Sequence, residues 1–413
     1  MLEIIYLEPD FEKFNLMTGN LKTFCVLLFL ALVPVASAFS QVGIIGQDTT
    51  RRVITTAVPF IMIAPDARAG GMGDVGAATS ADAASIHWNP AKLIFNQQDY
   101  GFSLSYTPWL GRIVNDMWIF YASGYYKLDD VQAIGLSMTY FDLGDLQFRD
   151  DTGVPLGDFS PREFALTATY SRQLTESLSL GVSGKYIHSN LTGNIVSSGG
   201  INDSRAGTSV AADIGVYYNS EIAGSATNNE ISWAAVISNI GQKMTYSDED
   251  NRQFIPTNLR LGGAYKMYLD PYNSITFALD ANKLMVPTPP VRDENGNIIR
   301  GEDPDRSLLS GMFGSFGDAP DGGSEELKEV MLSAGAEYWY NDIFAFRAGY
   351  FYEHEDKGNR KYFTVGTGFR YQVFGIDFAY LIPQVQDHPL AETLRFTLVF
   401  NFENNIVSQP ISE

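Results

Sequence analysis

An all-β fold, a transmembrane antiparallel β-barrel of about fourteen strands preceded by an N-terminal plug segment, is predicted for this chain of 413 residues. Three observations predict it. From about residue 100 to 402 the sequence keeps returning to a stretch of roughly ten residues in which apolar side chains alternate with small or polar ones. Phe344, Phe346, Ala348, Tyr350 and Tyr352 share one face of such a stretch and Ala345, Arg347, Gly349 and Glu353 the other, with Phe351 the exception. Leu394, Phe396, Leu398, Phe400 and Phe402 repeat the pattern opposite Thr393, Arg395, Thr397 and Asn401. A strand has a period of two, so a face carrying Arg, Lys and Asp is no ordinary dry core, and the apolar face belongs against lipid. Second, tight turns alternate with long links, as they do between the periplasmic and external ends of outer-membrane barrels. Third, only one apolar run approaches the length of a spanning helix, and it lies near the start.

That run, 24–34 (FCVLLFLALVP), follows Lys22 and leads to Ala36-Ser37-Ala38, the pattern of a cleaved export signal for the general secretion route. The signal is placed at 1–40, with cleavage after Ala38 or before Gln41. Glu3, Glu8, Asp10 and Glu12 suit its first region poorly, so translation is expected to start at Met17. Cys25, the single cysteine, lies inside the signal, which excludes disulfides, thiolate metal sites and cysteine catalysis from the mature chain.

Residues 41–98 are expected to form a periplasmic or plug segment. Its part 58–93 holds too many Gly and Ala for a spanning strand. Gly70, Gly71 and Gly73 permit turns and close approach, Asp82 and Ser85 can cap short helical turns, and Asn89-Pro90 favours a turn before the barrel. The glycines lack the spacing and the Lys of a phosphate-binding loop.

Candidate strands lie at 99–107, 115–127, 131–142, 161–173, 177–190, 206–219, 230–240, 257–269, 272–284, 328–340, 343–354, 360–372, 374–382 and 391–402. An even count places both mature termini, including a tail at 403–413, at the periplasmic end. Outward positions include Ile134, Leu136, Met138, Tyr140, Leu259, Leu261, Tyr265, Phe363, Val365, Phe369 and Tyr371. Inward positions include Lys185, Asp213, Arg260, Lys266, Asp280, Glu337, Arg347, Arg370, Asp377 and Arg395, a set of both signs that can line a wet path or hold barrel and plug together.

The external links are placed at 143–160, 191–205, 241–256, 285–327 and 383–390; the link near 220–229 is longer than its periplasmic class should be. The longest, 285–327, is bounded by Pro287, Pro289 and Pro290 and carries Leu308, Leu309, Met312, Phe313 and Phe316 within acidic sequence. Such a patch either docks a partner protein or folds down as a lid over the barrel mouth.

Other chemistry finds little support. Asp293, Asn295 and Asn297 begin like a calcium loop, but Gly296 is misplaced and the closing Glu is missing; Asp248, Glu249 and Asp250 form a solvated acidic stretch. His87, His188, His354 and His388 are scattered without ligand spacing, and no nucleophile elbow has suitable partners. A formal charge of −20 disfavours nucleic acid. No catalytic, metal-binding or cofactor-binding residue is expected.

The run at 64–93 (APDARAGGMGDVGAATSADAASIHWNPAKL) resembles the amino-terminal signature of the PorV family, outer-membrane components of type IX secretion in Bacteroidetes that belong with the FadL-like fourteen-stranded barrels. Asn89-Pro90-Ala91 is similar to their plug motif, and Asp66, Arg68, Gly70, Gly71, Gly73, Asp74, Asn89 and Pro90 carry the signature here. The stretches 137–148, 280–290, 374–383 and 388–400 look similar too, so the resemblance covers nearly the whole mature chain. The sibling PorQ family shares the general architecture. The resemblance implies a non-enzymatic protein that binds the carboxy-terminal signal domain of secreted cargo, receives it at the translocon pore and carries it to the attachment complex containing a sortase-like protease. Outer-membrane lipid is the remaining implied partner, and no cofactor is implied. A FadL-type transporter of hydrophobic small molecules stays open as the alternative.

Overall fold

The computed structural model describes residues 52–403 apart from 112–113, 115, 150–152, 154, 192–195, 198–199, 202–204, 223–228, 247–251, 385–389 and 391–392. The expected signal, the tail at 404–413, Asp248 to Asp250, His388 and the doubtful link at 223–228 therefore lie outside the described residues.

Fourteen strands close one barrel, each antiparallel to its neighbour in sequence. They are β1 (Tyr100–Pro108), β2 (Trp118–Asp129), β3 (Gln132–Asp142), β4 (Arg162–Gln173), β5 (Leu178–Asn190), β6 (Gly207–Ile222), β7 (Asn229–Gly241), β8 (Asn258–Asp270), β9 (Asn273–Leu284), β10 (Val330–Tyr340), β11 (Phe344–Tyr352), β12 (Lys361–Tyr371), β13 (Phe374–Pro383) and β14 (Leu394–Phe402). The seam pairs β1 with β14 from Tyr100 opposite Phe402 to Tyr106 opposite Phe396, so the sheet has no free edge.

Turn chemistry sets one end of the barrel. Asp129 accepts the Val131 amide at 2.9 Å and Asp270 the Tyr272 amide at 2.8 Å, while Asn341 and Asp342 both take φ 53°, the left-handed conformation of a two-residue hairpin. Long links occupy the opposite end, which the usual asymmetry makes external. The alternation expected from sequence holds in space: Leu136, Leu261, Phe346, Val365 and Leu398 are exposed, and Arg347, Asp377 and Arg395 are buried in the lumen. Phe351 faces inward as the exception to its strand, stacked on Tyr362 at 4.9 Å.

Residues 57–96 fill the lumen with short pieces: a 3-10 turn at Pro59–Met62, α1 (Ala67–Gly70), α2 (Ser85–Trp88) and a second 3-10 turn at Pro90–Phe95. Phe60 and Ile61 pack with Ile119, Phe141, Ile187, Met244 and Ile255 near the external mouth. Farther in, Ile86, Leu93 and Ile94 pack on Tyr125 and Ala133.

The long external link is itself structured, with a hairpin (Val291–Arg292 with Ile298–Arg300), α3 (Leu308–Gly314) and α4 (Gly323–Lys328). Two expectations need correction. At Arg52, the first described residue, the chain lies at the external end and not the periplasmic one, pairing with Asp321 and Glu325 of the long external link, because strand parity fixes where β1 starts and says nothing of a lumen-length segment before it. Asp82 and Ser85 do not cap α2, whose cap position is Ala84; they brace each other instead, with the Ser85 hydroxyl at 3.2 Å from Asp82.

Candidate functional site

The plug signature is a docking surface turned against the barrel's own inner wall. Asp66 caps α1 by accepting the Ala69 amide at 2.9 Å, and its second oxygen takes the Trp88 indole N–H at 2.7 Å, which ties α1 to α2. Burial raises its carboxyl above the ordinary value. Arg68 leaves α1 to form a two-pronged pair with Glu337 of β10 at 2.8 and 3.0 Å and a third contact with Asp82 at 2.8 Å. Glu337 is shared with Arg347 of β11 at 2.7 Å, Arg347 reaches Asp377 of β13 at 2.8 Å, and Asp377 receives Arg370 of β12 at 2.6 Å. Charges therefore alternate in sign from plug to wall, which is how buried ions avoid the penalty of standing alone. Asp74 receives Arg395 of β14 at 3.0 Å and the Tyr362 hydroxyl of β12.

Glycine permits contact at both surfaces. Gly73, at φ 73°, donates to the Thr364 hydroxyl at 2.8 Å, and a Cβ there would stand 2.6 Å from the Tyr350 amide nitrogen. Gly70 and Gly71 face Arg395 and Gly366 in the same way. On the far side Asn89 is fully buried, donating to the carbonyls of Ala77 at 3.3 Å and of Val216 in β6 at 3.1 Å, and its oxygen caps the following turn by accepting the Ala91 amide at 3.0 Å. Pro90 starts that turn, where its missing N–H is no loss. The Ala91 carbonyl accepts from Ser171 of β4 at 3.0 Å and Ser179 of β5 at 2.6 Å.

Sequence reasoning missed several members. Gly181 and Gly215 look like ordinary strand glycines, yet a Cβ at either would lie 2.3 Å from plug atoms at Ala91 or Asn89. Lys92 is buried, donating to the Gly76 carbonyl at 2.7 Å and the Thr79 hydroxyl at 3.1 Å; burial pushes its amine down to about 8. Asp280, expected only to face inward, accepts the amides of Gly76 at 2.9 Å and Ala77 at 3.0 Å. His87 lies edge-on to Trp88 and Tyr121, and burial, then the charges of Arg260 and Lys185, keep it well below its ordinary value.

Beneath the plug, toward the turn end, lies a cavity of about 880 Å³ whose lining includes Arg68, Glu230, Lys266, Glu337, Trp339 and Asp377. It is a polar and charged space. The apolar part of the lumen, by contrast, is occupied by Phe60 and Ile61.

At the external end the five patch residues part company. Met312 is 2% exposed, and Gly311 beside it faces Phe254 and Pro287, while Leu309 and Phe313 are 61% and 66% exposed and Phe316 is also exposed. Leu308 is half-buried. One face of α3 is thus a lid and the other an open apolar surface. The link is held by ions: Lys357 bridges Glu325 at 2.7 Å and Glu329 at 2.8 Å, and Lys283 reaches Glu326 at 2.9 Å and Glu329. Although burial opposes it, Arg52 and Lys357 draw the Glu325 carboxyl down to about 2. The Asp293 turn is self-contained, its oxygens accepting the amides of Asn295 at 2.9 Å and Asn297 at 2.7 Å. Plug signature and apolar patch remain two separate places; the structure does not bring them into one site.

The profile of the family described as "Type IX secretion system protein PorV" matches residues 46–291, more than half of the chain. The chain belongs to the PorV family. The PorV match takes in the plug and β1 to β9 and ends in the hairpin at the base of the long external link. No curated protein matches. Solved structures similar to this PorV-family chain include the toluene transporter TodX of Pseudomonas putida, 14% identical, with 80% of this chain and 95% of that one covered at a TM-score of 0.45. The toluene transporter TbuX of Ralstonia pickettii is 14% identical over 83% and 98% at 0.43, and a FadL homologue of Pseudomonas aeruginosa 11% identical over 86% and 100% at 0.43.

Proposed function

We propose that this integral outer-membrane barrel of type IX secretion is a non-enzymatic carrier. It binds the carboxy-terminal signal domain of secreted proteins, takes them from the translocon pore and delivers them to the cell-surface attachment complex with its sortase-like protease. The observation that carries the reading is the union of family membership with an external apolar surface: Leu309 and Phe313 stand exposed on a helix whose opposite face is anchored through Met312, and Phe316 is exposed in the turn that follows it. Exposed apolar residues on a fixed element lose little entropy when they meet a partner. Transport of a small hydrophobic compound is less supported, since the cavity beneath the plug is charged and the apolar lumen is filled by the chain itself.

Affinity isolation from native outer membranes tests both. Recovery of secreted proteins sharing one carboxy-terminal domain, with capture lost in the triple variant Leu309→Ser, Phe313→Ser, Phe316→Ser, is the expected result. A barrel that carries only a fatty acid, or capture unchanged in the triple variant, defeats the carrier reading or its assignment to α3 respectively.

A further inference from the structure

The segment just ahead of the plug is tied entirely to the external end. Arg52 contacts Glu325 through Nε at 2.9 Å and Nη2 at 2.8 Å, and also pairs with Asp321. The Ala57 amide donates to the Phe254 carbonyl at 2.9 Å, in the link between β7 and β8. At Val58 the backbone takes φ 49°, a conformation that a β-branched residue adopts only where its surroundings impose it. There the chain turns into the lumen, placing Phe60 and Ile61 in the apolar cluster near the mouth. It then descends to Gln97 and Gln98, which line the cavity at the turn end just before β1.

We infer that the part of the chain leading into the plug is a cell-surface strap, entering the barrel from outside and clasping the long external link through Arg52. The clasp completes an ion cluster. Arg52, Lys283, Arg300 and Lys357 meet Asp321, Glu325, Glu326 and Glu329, four bases against four carboxylates. The side chains of Glu325, Glu329 and Lys357 are almost wholly buried, so a missing base leaves charge that water cannot screen. Arg52 is the member contributed by the strap. Plug, strap and α4 thereby form one continuous attachment, and a shift of the plug is passed to the link that carries α3. None of this rests on the carrier role.

Two measurements test it. The chain has one cysteine, Cys25, in the expected signal, so an introduced thiol gives a clean label. Val53→Cys, at an exposed position, is expected to react on intact cells with a maleimide polymer too large for porins, whereas Asp130→Cys, in the turn between β2 and β3, reacts only after the outer membrane is opened. Labelling of Val53→Cys only after opening overturns the placement. For the clasp, Arg52→Ala in the purified barrel is expected to speed backbone hydrogen exchange across 308–328 about tenfold, with partial return in Arg52→Lys. Unchanged exchange overturns it. If Arg52→Ala does not assemble, Arg52→Gln removes only the strap's charge while keeping most of its length and must accelerate exchange in the same region, or the clasp is rejected.

Discussion

On the wall made by β10 to β14 the plug meets charge: Arg68 on Glu337, Arg347 between Glu337 and Asp377, and Asp74 on Arg395. On the wall made by β3 to β6 it meets Gly135, Gly181, Gly215 and the hydroxyls of Ser171 and Ser179, with no ion pair to the plug on those strands among the described residues. Close glycine contact is common to both sides, since a Cβ at Gly349 of β11 would lie 2.0 Å from the Met72 carbonyl carbon, whereas the ion pairs to the plug belong to the first side alone. Close contact at the glycines sets how far the plug seats, since a methyl group at Gly181 would meet the main chain of Pro90 and Ala91, and one at Gly135 or Gly215 the packed side chains of Ile86, Leu93 or Asn89. Buried ions contribute little net stability but punish any misplaced pairing, so they set which way the plug faces.

The largest expected effect strikes the charged wall. Asp74→Asn leaves the buried Arg395 guanidinium of β14 without its carboxylate, and should lower the urea stability of the folded barrel by about 3–5 kcal/mol. An unchanged midpoint would mean that this ion pair is replaceable and that the glycine contacts suffice. Lys92 tests whether the plug's interior adds a charge cost of its own. Its amine lies near 8 in the folded chain against 10.5 when free, so the unfolded chain holds the proton more tightly. The penalty is full below about pH 8 and fades as pH rises toward 10.5, which should raise stability by about 3 kcal/mol across that window. Lys92→Met should flatten that rise; if titration of the barrel shows the same slope in both proteins, the cost resides elsewhere.

Gly181→Ala probes the uncharged wall. Its Cβ would stand 2.3 Å from the Ala91 nitrogen, and the loss should be about 1–3 kcal/mol, the same at low and high salt because no ion is involved. A salt-dependent loss would erase the distinction between the walls. The smallest effect belongs to the triple serine variant of α3 and the turn after it, which should leave stability within about 0.5 kcal/mol while removing cargo capture.

Much of this architecture was legible in the residues. Period-two alternation located all fourteen strands and assigned Arg347, Asp377 and Arg395 to the lumen, because burial by lipid and burial by plug select opposite side-chain chemistry. The plug signature was legible as a compact small-residue element. Its wall partners were not, since Gly181 and Gly215 acquire their role from atoms 90 or more positions away in the chain. Met312 could not be told from Phe313, because a seven-residue helix is too short for its periodicity to emerge. Arg52 was hidden for another reason: parity governs strands, and the strap is not one.

The seam offers one more consequence, in the order of assembly. The Thr397 hydroxyl of β14 accepts the Ala67 amide at 2.8 Å, and Arg395 on the same strand holds Asp74, so the last strand to leave the ribosome is partly bound by an element made before the first. Zipping β14 onto β1 is then a contact of very high sequence separation, slow by chain entropy alone. A plug seated on β4 to β6 before closure would shorten that search by presenting Ala67 and Asp74 to the arriving strand, as a former around which the cylinder is wound.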